Sequence, residues 1–235
     1  LVGSEMCIRD RTMSEAIEKH FNNSSIKVGV LSGPNLAKEI ADEKVAGTVI
    51  ASKHADLCHQ AREILSSSTF KIYTSDDIKG IELAGALKNI YAIISGYCHS
   101  LDVGENAIGL ILTRSMAEMS NFAVHKGANP ITFLGLAGMG DLVATCFSKL
   151  SRNYQFGWAI GEGLDIEAAK YKVGQVAEGL NTIRIIHNEI SSSKIKMPLV
   201  SGMHEILFNS GSKELLLEQI INSDIYVDVD FDVES

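Results

Sequence analysis

The sequence contains no long basic run, no long apolar run and no secretory signal pattern. Its 235 residues carry a formal net charge of −8, which argues against nucleic acid as the main partner, although an anion pocket needs only a few basic residues. No apolar stretch reaches about 18 residues without a polar interruption, so no membrane insertion is predicted. The N-terminus lacks a basic stretch followed by an apolar one, so no secretory leader is expected.

Several common site motifs are also absent. The four cysteines, Cys7, Cys58, Cys98 and Cys146, are scattered without a CxxC pair, which indicates a reducing cytoplasm rather than a disulfide framework or a zinc site. The seven histidines lack HExxH or other ligand spacing, so no metal is assigned. No G-x-S-x-G elbow indicates a serine hydrolase. No strand–GxGxxG–helix unit occurs, so pattern alone does not indicate nucleotide binding.

The chain from Ser25 to Ser75 alternates strand and helix patterns. Strands are predicted at 26–31, 46–51 and 70–74, and helices at 36–43 and 54–67, with Asn35 as a candidate N-cap for the first of them. A further helix end is predicted at 13–21. Such alternation predicts α/β organisation with parallel strand pairing.

After Asp76 the apolar periods become helical. A domain boundary is therefore placed near Ser75, which gives an α/β region at 12–75 and a helical domain at 76–222. Residues 1–11 match no pattern. The acidic segment 223–235 alternates with a period of two, which allows a terminal strand, but its charge density favours a loose tail. The predicted helices are 77–99, 105–127, 130–138, 139–147, 153–162, 166–172, 176–190, 198–208 and 212–222.

One lysine lies within an otherwise apolar predicted helix. Lys88 belongs to residues 81–94, a segment long and apolar enough for a buried helix. A lysine kept inside loses hydration and exchanges its proton more readily near neutral pH. Its helical neighbours Ala84 and Ala92 are small and leave room for a ligand or another backbone. From this segment alone, the alternative is a lysine whose ammonium reaches solvent from an apolar stem.

Three further segments offer polar groups for a ligand. Residues 135–142 contain three glycines before Asp141, with Thr145 on the same helical face, and suit either a ligand or a tight helix connection. Ser151 is predicted to be the N-cap of a helix that Arg152 and Asn153 open, which suits either phosphate binding or an ordinary capped helix with an exposed arginine. Residues 174–179 suit a loop that touches a ribose or simply turns.

Five segments in register resemble one family. They are LSGPNLAKEI, YTSDDIKGIELAGALKN, GLAGMGDLVATC, LSRNYQFG and GQVAEG. From about Met13 to Asn222 the chain resembles the NAD(P)-dependent glycerol-3-phosphate dehydrogenases of bacterial type. The resemblance implies an α/β remnant of a Rossmann-type dinucleotide-binding domain followed by an all-α substrate domain. It implies an enzyme that reversibly reduces dihydroxyacetone phosphate to sn-glycerol 3-phosphate for phospholipid synthesis with NADH or NADPH. A cytoplasmic location is expected, and the oligomeric state stays open, although helical substrate domains of this kind can pair as a homodimer.

The resemblance also implies site residues. Lys88 matches the family's proton donor and acceptor at the substrate's C2 oxygen. Gly33 and Asn35 occupy positions of a substrate-contacting motif, although Asn35 replaces the usual Ser or Thr and Leu36 the usual Phe. The other implied substrate contacts are Asn89, Asp141, Thr145, Ser151, Arg152 and Asn153, and the implied cofactor contacts are Ala37, Arg152, Val176 and Glu178.

The family's GxGxxG half has no counterpart in these residues. We therefore expect an N-terminally truncated fragment that binds NAD(P)H poorly by itself, with residues 1–11 as a translated assembly artefact. The choice between NAD and NADP stays open because the ribose-selecting residues lie in that half. Two alternatives are a β-hydroxyacid dehydrogenase, which Arg152 disfavours, and a non-catalytic helical interaction module, which the presence of Lys88 and Asp141 disfavours.

Overall fold

The computed structural model describes residues 12–21, 26–174, 178–212 and 214–221. The predictions made for residues 1–11, for Val176 and for the tail at 223–235 lie outside these ranges. The elements are α1 (Met13–Phe21), β1 (Val30–Ser32), α2 (Ala37–Ala41), β2 (Ala46–Ala51), α3 (Ala55–Leu65), β3 (Phe70–Ser75), α4 (Ile78–Ser100), α5 (Glu105–His125), a 3₁₀ turn (Pro130–Leu134), a π turn (Leu136–Gly140), α6 (Asp141–Phe147), α7 (Arg152–Gly161), α8 (Ile166–Val173), α9 (Glu178–Ser191), α10 (Pro198–Phe208) and α11 (Leu215–Ile221).

The strands form one sheet in the order β1-β2-β3, and residues 48–51 of the central strand are buried. Successive side chains of a strand point to opposite faces. Val49 and Ala51 accordingly pack in one buried cluster with Ile81, whereas Ile50 packs in another with Ile72. The predicted parallel pairing is confirmed for β2 and β3, which pair along their whole length.

The pairing of β1 differs from the prediction. β1 runs antiparallel to β2, because the connection between them contains only α2, a helix of five residues. That helix rises about 7.5 Å, too little to carry the chain back along a strand as a parallel crossover requires. The strand also begins at Val30 rather than at residue 26. The carbonyl of Val28 instead accepts a hydrogen bond from the Ser52 hydroxyl at 2.6 Å.

The helix after β1 begins later than predicted, and Asn35 does not cap it. The N-cap of α2 is Leu36, which makes no side-chain capping hydrogen bond. The Asn35 side chain turns instead to the sheet, where Nδ2 donates to Thr48 Oγ1 at 2.9 Å. Asn35 is therefore held by β2 and left available to a ligand rather than committed to the helix.

The two helices predicted at 130–138 and 139–147 are replaced by three shorter elements. Asn129 caps the 3₁₀ turn by accepting from the Ile131 amide. The Gly140 amide then bonds the Gly135 carbonyl at 3.3 Å, a π-type bond five residues apart. A Cβ on Gly138 would lie 2.3 Å from the Phe133 carbonyl oxygen. The glycines therefore permit a compact turn that places Asp141 at the start of α6.

The described residues form two compact units. One contains residues 12–88 and 123–145, and the other contains 89–122 and 146–221. The division falls within α4, after Lys88, and the domain boundary expected near Ser75 stays a prediction. In the second unit, residues 90–94 of α4 are wholly buried, in agreement with the apolar run that predicted this helix. No helix of the described residues combines the length and apolarity needed to cross a membrane.

Candidate functional site

The first unit contains a group of residues that we call the Lys88 cluster: Lys88, Asp141, Thr145 and Gly33. The Lys88 ammonium forms an ion pair with Asp141 Oδ2, and their side chains are 13% and 2% exposed. The alternative of a lysine reaching solvent from α4 is thereby disfavoured. Ala84, one turn before Lys88 on α4, is small and wholly buried.

Asp141 collects several donors. Thr145 Oγ1 donates to Asp141 Oδ1 at 3.2 Å and to the Asp141 carbonyl at 2.6 Å, so the shared helical face predicted for this pair is present. The Gly33 amide also hydrogen bonds to the carboxylate. Burial raises the pKa of Asp141, and the charge and hydrogen bond of Lys88, followed by the bonds from Thr145 and Gly33, oppose that rise. The result is a fixed carboxylate that orients an ammonium.

Gly33 lies close to the sheet, where a side chain at this position would be strained. Its φ is 153° and an added Cβ would lie 3.0 Å from Thr48 Cα. Nearby, Asn35 Oδ1 is buried without a hydrogen-bond partner among the described residues. An unpaired buried acceptor is uncommon, because it has lost water without a replacement. Ala37 is exposed at the first position of α2.

The second unit contains a polar group that we call the Arg152 cluster: Asn89, Ser151, Arg152, Asn153 and Glu178. Ser151 caps α7 by accepting from the Tyr154 amide at 3.3 Å, as predicted. The Arg152 guanidinium donates to Glu178 Oε1 at 3.1 Å, and Asn89 Nδ2 approaches Glu178 Oε2 at 3.5 Å.

Asn153 and Gly179 hold the starts of α7 and α9 together. Asn153 is buried, and its Oδ1 accepts from the Gly179 amide at 3.0 Å. A Cβ on Gly179 would lie 2.5 Å from the Asn89 carbonyl oxygen. Of the segment 174–179 predicted as a loop, Gly174 ends α8 with φ 73° and Glu178 begins α9, and residues 175–177 lie outside the described residues.

The two clusters offer different chemistry. The Lys88 cluster presents a nearly buried ammonium, a carboxylate and a hydroxyl, a set suited to proton transfer and to binding hydroxyl groups. The Arg152 cluster presents a guanidinium that is 47% exposed at a helix start, a set suited to a phosphate or another anion.

The pairing of Lys88 with Asp141 was not predicted. The two residues are 53 positions apart, and helical spacing indicates only partners three or four residues away. Their meeting depends on the π turn before α6. The sequence signalled each residue only separately: Lys88 stands in an apolar helix and Asp141 follows three glycines.

Comparison with known proteins supports the family resemblance. A family model described as the NAD-dependent glycerol-3-phosphate dehydrogenase C-terminus matches residues 77–218, and the corresponding N-terminus model matches residues 8–58. The glycerol-3-phosphate dehydrogenase [NAD(P)+] of Pseudomonas putida is 49% identical over 221 residues, or 94% of this chain. That of Ectopseudomonas mendocina is 47% identical over 234 residues and is covered to 68% of its length.

A solved structure supports the same relationship. Glycerol-3-phosphate dehydrogenase from Coxiella burnetii superposes with a TM-score of 0.86 at 34% identity, covering 91% of this chain and 65% of that one. The chain spans 64% of the length of the Pseudomonas putida relative. The predicted combination of a Rossmann-type remnant with a helical domain is confirmed. On the strength of the matched models and relatives, the chain belongs to the NAD-dependent glycerol-3-phosphate dehydrogenase family.

Proposed function

We propose that the whole protein reversibly reduces dihydroxyacetone phosphate to sn-glycerol 3-phosphate with NADH or NADPH. The observation that carries this proposal is the ion pair of Lys88 with Asp141, both nearly buried, at motif positions of the family. The product is a backbone for glycerophospholipid synthesis. Proton transfer at a carbonyl oxygen needs one positioned acid, and Lys88 is that group.

Lys88 acts at the C2 oxygen of the substrate. Its ammonium polarises the ketone and donates a proton as the alkoxide develops, and in the reverse direction the neutral amine takes the proton back. Asp141 holds the ammonium in place and Thr145 holds Asp141. The same carboxylate and hydroxyl bind substrate hydroxyl groups when Lys88 turns to the carbonyl oxygen.

Gly33 and Asn35 contribute to binding the same end of the substrate. The unpaired Asn35 Oδ1 is an acceptor, and a substrate hydroxyl is a donor that would satisfy it. Asn35 thereby replaces the hydroxyl that other members of the family carry at this position. Gly33 lies close to β2, and its amide hydrogen bonds to the Asp141 carboxylate.

The phosphate is bound by residues at the start of α7. Arg152 provides a guanidinium, Ser151 and Asn153 shape the helix start, and Asn89 adds an amide donor. The exposed part of Arg152 favours this role, because an anion can displace Glu178 from it without entering the core.

The residues proposed for the cofactor are Ala37, Arg152, Val176 and Glu178. In the first unit Ala37 is exposed beside α2, and in the second unit the side chains of Arg152 and Glu178 are 47% and 20% exposed, so each of these residues by itself is open to a cofactor. When bound, the nicotinamide supplies the hydride that reaches C2. We expect the 235-residue chain alone to bind NAD(P)H poorly, because it contains no GxGxxG segment.

Location and assembly are proposals of the same kind. We place the protein in the cytoplasm, because Cys58 and Cys98 are free and buried thiols, as is usual in a reducing compartment. The oligomeric state stays open, and sedimentation velocity of the purified protein distinguishes a homodimer from a monomer.

The decisive assay follows NADH or NADPH oxidation with dihydroxyacetone phosphate. The chain is compared with a chimera that adds those parts of the Pseudomonas putida relative to which the chain has no counterpart. We expect turnover in the chimera and a loss of about 10²–10⁴-fold in its Lys88→Ala variant, with NADH affinity nearly unchanged. A near-normal rate in that variant would remove Lys88 from the mechanism.

A substrate screen tests the alternative of a β-hydroxyacid dehydrogenase. The same chimera is assayed with dihydroxyacetone phosphate, dihydroxyacetone and a set of β-hydroxyacids. We expect the phosphorylated ketone to be strongly preferred, and Arg152→Leu to remove that preference. Equal rates with and without the phosphate group would contradict the proposed substrate class.

A further inference from the structure

A second polar cluster lies in the helical unit among residues that take no part in the proposed reaction. His187 on α9 and His204 on α10 stack with ring centroids 3.7 Å apart and planes 5° from parallel. Glu205 follows His204 on α10. One potential ligand atom from each of the three residues lies within 4.8 Å of the other two. We call these residues the His187 cluster.

One atom of the His187 cluster lacks a partner. His204 Nδ1 is buried and has no hydrogen-bond partner among the described residues. It lies 3.8 Å from Glu205 Oε1, too far for a hydrogen bond. Two ligands of one tetrahedral zinc ion, each about 2.0–2.1 Å from the metal, stand roughly 3.4 Å apart. The separation of these two atoms is therefore close to what a shared ion requires.

We propose that His187, His204 and Glu205 bind a divalent transition-metal ion of the zinc class and thereby link α9 to α10. Two imidazoles and one carboxylate form a known zinc donor set, in which water fills the fourth position. Imidazole ligands favour zinc over magnesium or calcium, which prefer oxygen donors. The site is separate from the residues proposed for substrate and cofactor, and the proposal does not depend on the reaction.

The surroundings of the cluster determine how readily it accepts an ion. Burial, and then the neighbouring His187, lower the pKa of His204, and a lower pKa favours the neutral imidazole, the form that binds metals. Asn209 Nδ2 donates to both Glu205 oxygens at 3.0 Å and orients the carboxylate as an outer partner.

Two features of the His187 cluster oppose binding of the ion and lower its affinity. The Arg184 guanidinium lies 4.3 Å from the centroid of the Phe208 ring, and its charge acts on His204. The parallel rings must also open apart, because a metal binds in the plane of each imidazole. Glu205 is 42% exposed, so the carboxylate can move toward the ion. Sequence spacing did not indicate this site because its ligands come from two helices.

The test is zinc binding by the purified, tag-free 235-residue chain after chelator treatment. Calorimetric titration with Zn²⁺ is expected to show one site, and Zn²⁺ is expected to raise the melting temperature. Co²⁺ in the same site gives visible absorption bands typical of tetrahedral coordination. Each of His187→Gln, His204→Gln and Glu205→Gln is expected to weaken zinc binding by at least about tenfold.

The matched control is His59→Gln, which removes an exposed histidine from α3 in the other unit and is expected to bind zinc as the parent does. No stoichiometric binding by the parent chain would overturn the proposal, and so would binding that survives in His187→Gln and Glu205→Gln. If His204→Gln does not fold, those two variants decide the question, because Glu205 is partly exposed and His187 is only half-buried.

Discussion

At the scale of single residues, Lys88 and Asp141 depend on each other. A buried ion pair adds little net stability, because both groups lose hydration, but removal of one partner leaves an uncompensated charge inside the protein. Asp141 is the more buried of the two, at 2% exposure. The pair therefore places a reactive ammonium inside the first unit, and the carboxylate makes that burial tolerable.

Replacement of the lysine tests this dependence. We expect Lys88→Met to lower the free energy of unfolding by about 3–5 kcal/mol at neutral pH, and the loss to shrink in acid as Asp141 takes up a proton. Urea unfolding followed by circular dichroism measures both effects. Lys38→Met, which changes an exposed lysine on α2, is the control. A change below about 1 kcal/mol in Lys88→Met would contradict the dependence.

At the scale of elements, Glu118 connects three helices of the second unit. The Tyr91 hydroxyl on α4 donates to Glu118 Oε2 at 3.0 Å, and the Leu199 amide at the start of α10 donates to Oε1 at 2.8 Å. Burial raises the pKa of Glu118 to about 8, and the bonds from Leu199 and Tyr91 only partly oppose the rise. The carboxyl is therefore mainly protonated at neutral pH.

This proton makes stability depend on pH. The ordinary value for the carboxyl is 4.5, and the folded value is about 8. Below pH 4.5 the stabilisation that the protonated Glu118 gives the folded state is fully present. Between the two, the folded state keeps a proton that the unfolded state has lost, so stability falls as pH rises, by up to about 1.4 kcal/mol per pH unit.

Glu118→Gln is expected to lack this loss because the amide does not titrate. Urea midpoints at about pH 5.5 and about pH 7.5, compared between the parent chain and the variant, measure the difference. The parent should lose more stability than the variant over this interval. Equal losses would place the Glu118 pKa near its ordinary value.

Close contact between α4 and α7 depends on glycine. A Cβ on Gly157 would lie 1.9 Å from the Ile93 carbonyl oxygen, whereas a Cβ on Gly109 of α5 would meet nothing within 4 Å. We expect Gly157→Ala to destabilise the chain by about 1–3 kcal/mol or more. Gly109→Ala should stabilise it by roughly 0.5–1 kcal/mol, because alanine favours the helix. Thermal unfolding of both variants measures these changes, and equal shifts of the melting temperature would contradict the close contact at Gly157.

At the scale of the whole molecule, the described cysteines are protected thiols. Cys58, Cys98 and Cys146 are buried, and burial raises the pKa of Cys58 and raises that of Cys98 to about 12. Since the thiolate is the reactive form, these positions should react slowly with iodoacetamide in the folded chain and rapidly in denaturant. Peptide mapping by mass spectrometry measures this, and fast native labelling of Cys98 would contradict its burial.

The sequence predictions were accurate for features set by neighbouring residues and wrong for features set by residues distant in the chain. β2 and α10 have the predicted bounds, because their apolar periods come from neighbouring residues. The Ser151 cap was also predicted, since a cap acts within three residues. The direction of β1 and the cap of α2 were wrong, because a strand's partner and the attraction of Asn35 to Thr48 depend on residues more distant in the chain.

The amino-acid sequence by itself determined the family, the alternation of strands and helices followed by a helical region, and the identity of Lys88, Asp141 and Arg152 as residues of interest. These follow from local periodicity and from motifs in register. Only the tertiary structure decided that Lys88 meets Asp141 through a π turn, and that His187 meets His204 between α9 and α10. Such meetings arise when helices pack, and packing brings together residues that no local pattern connects.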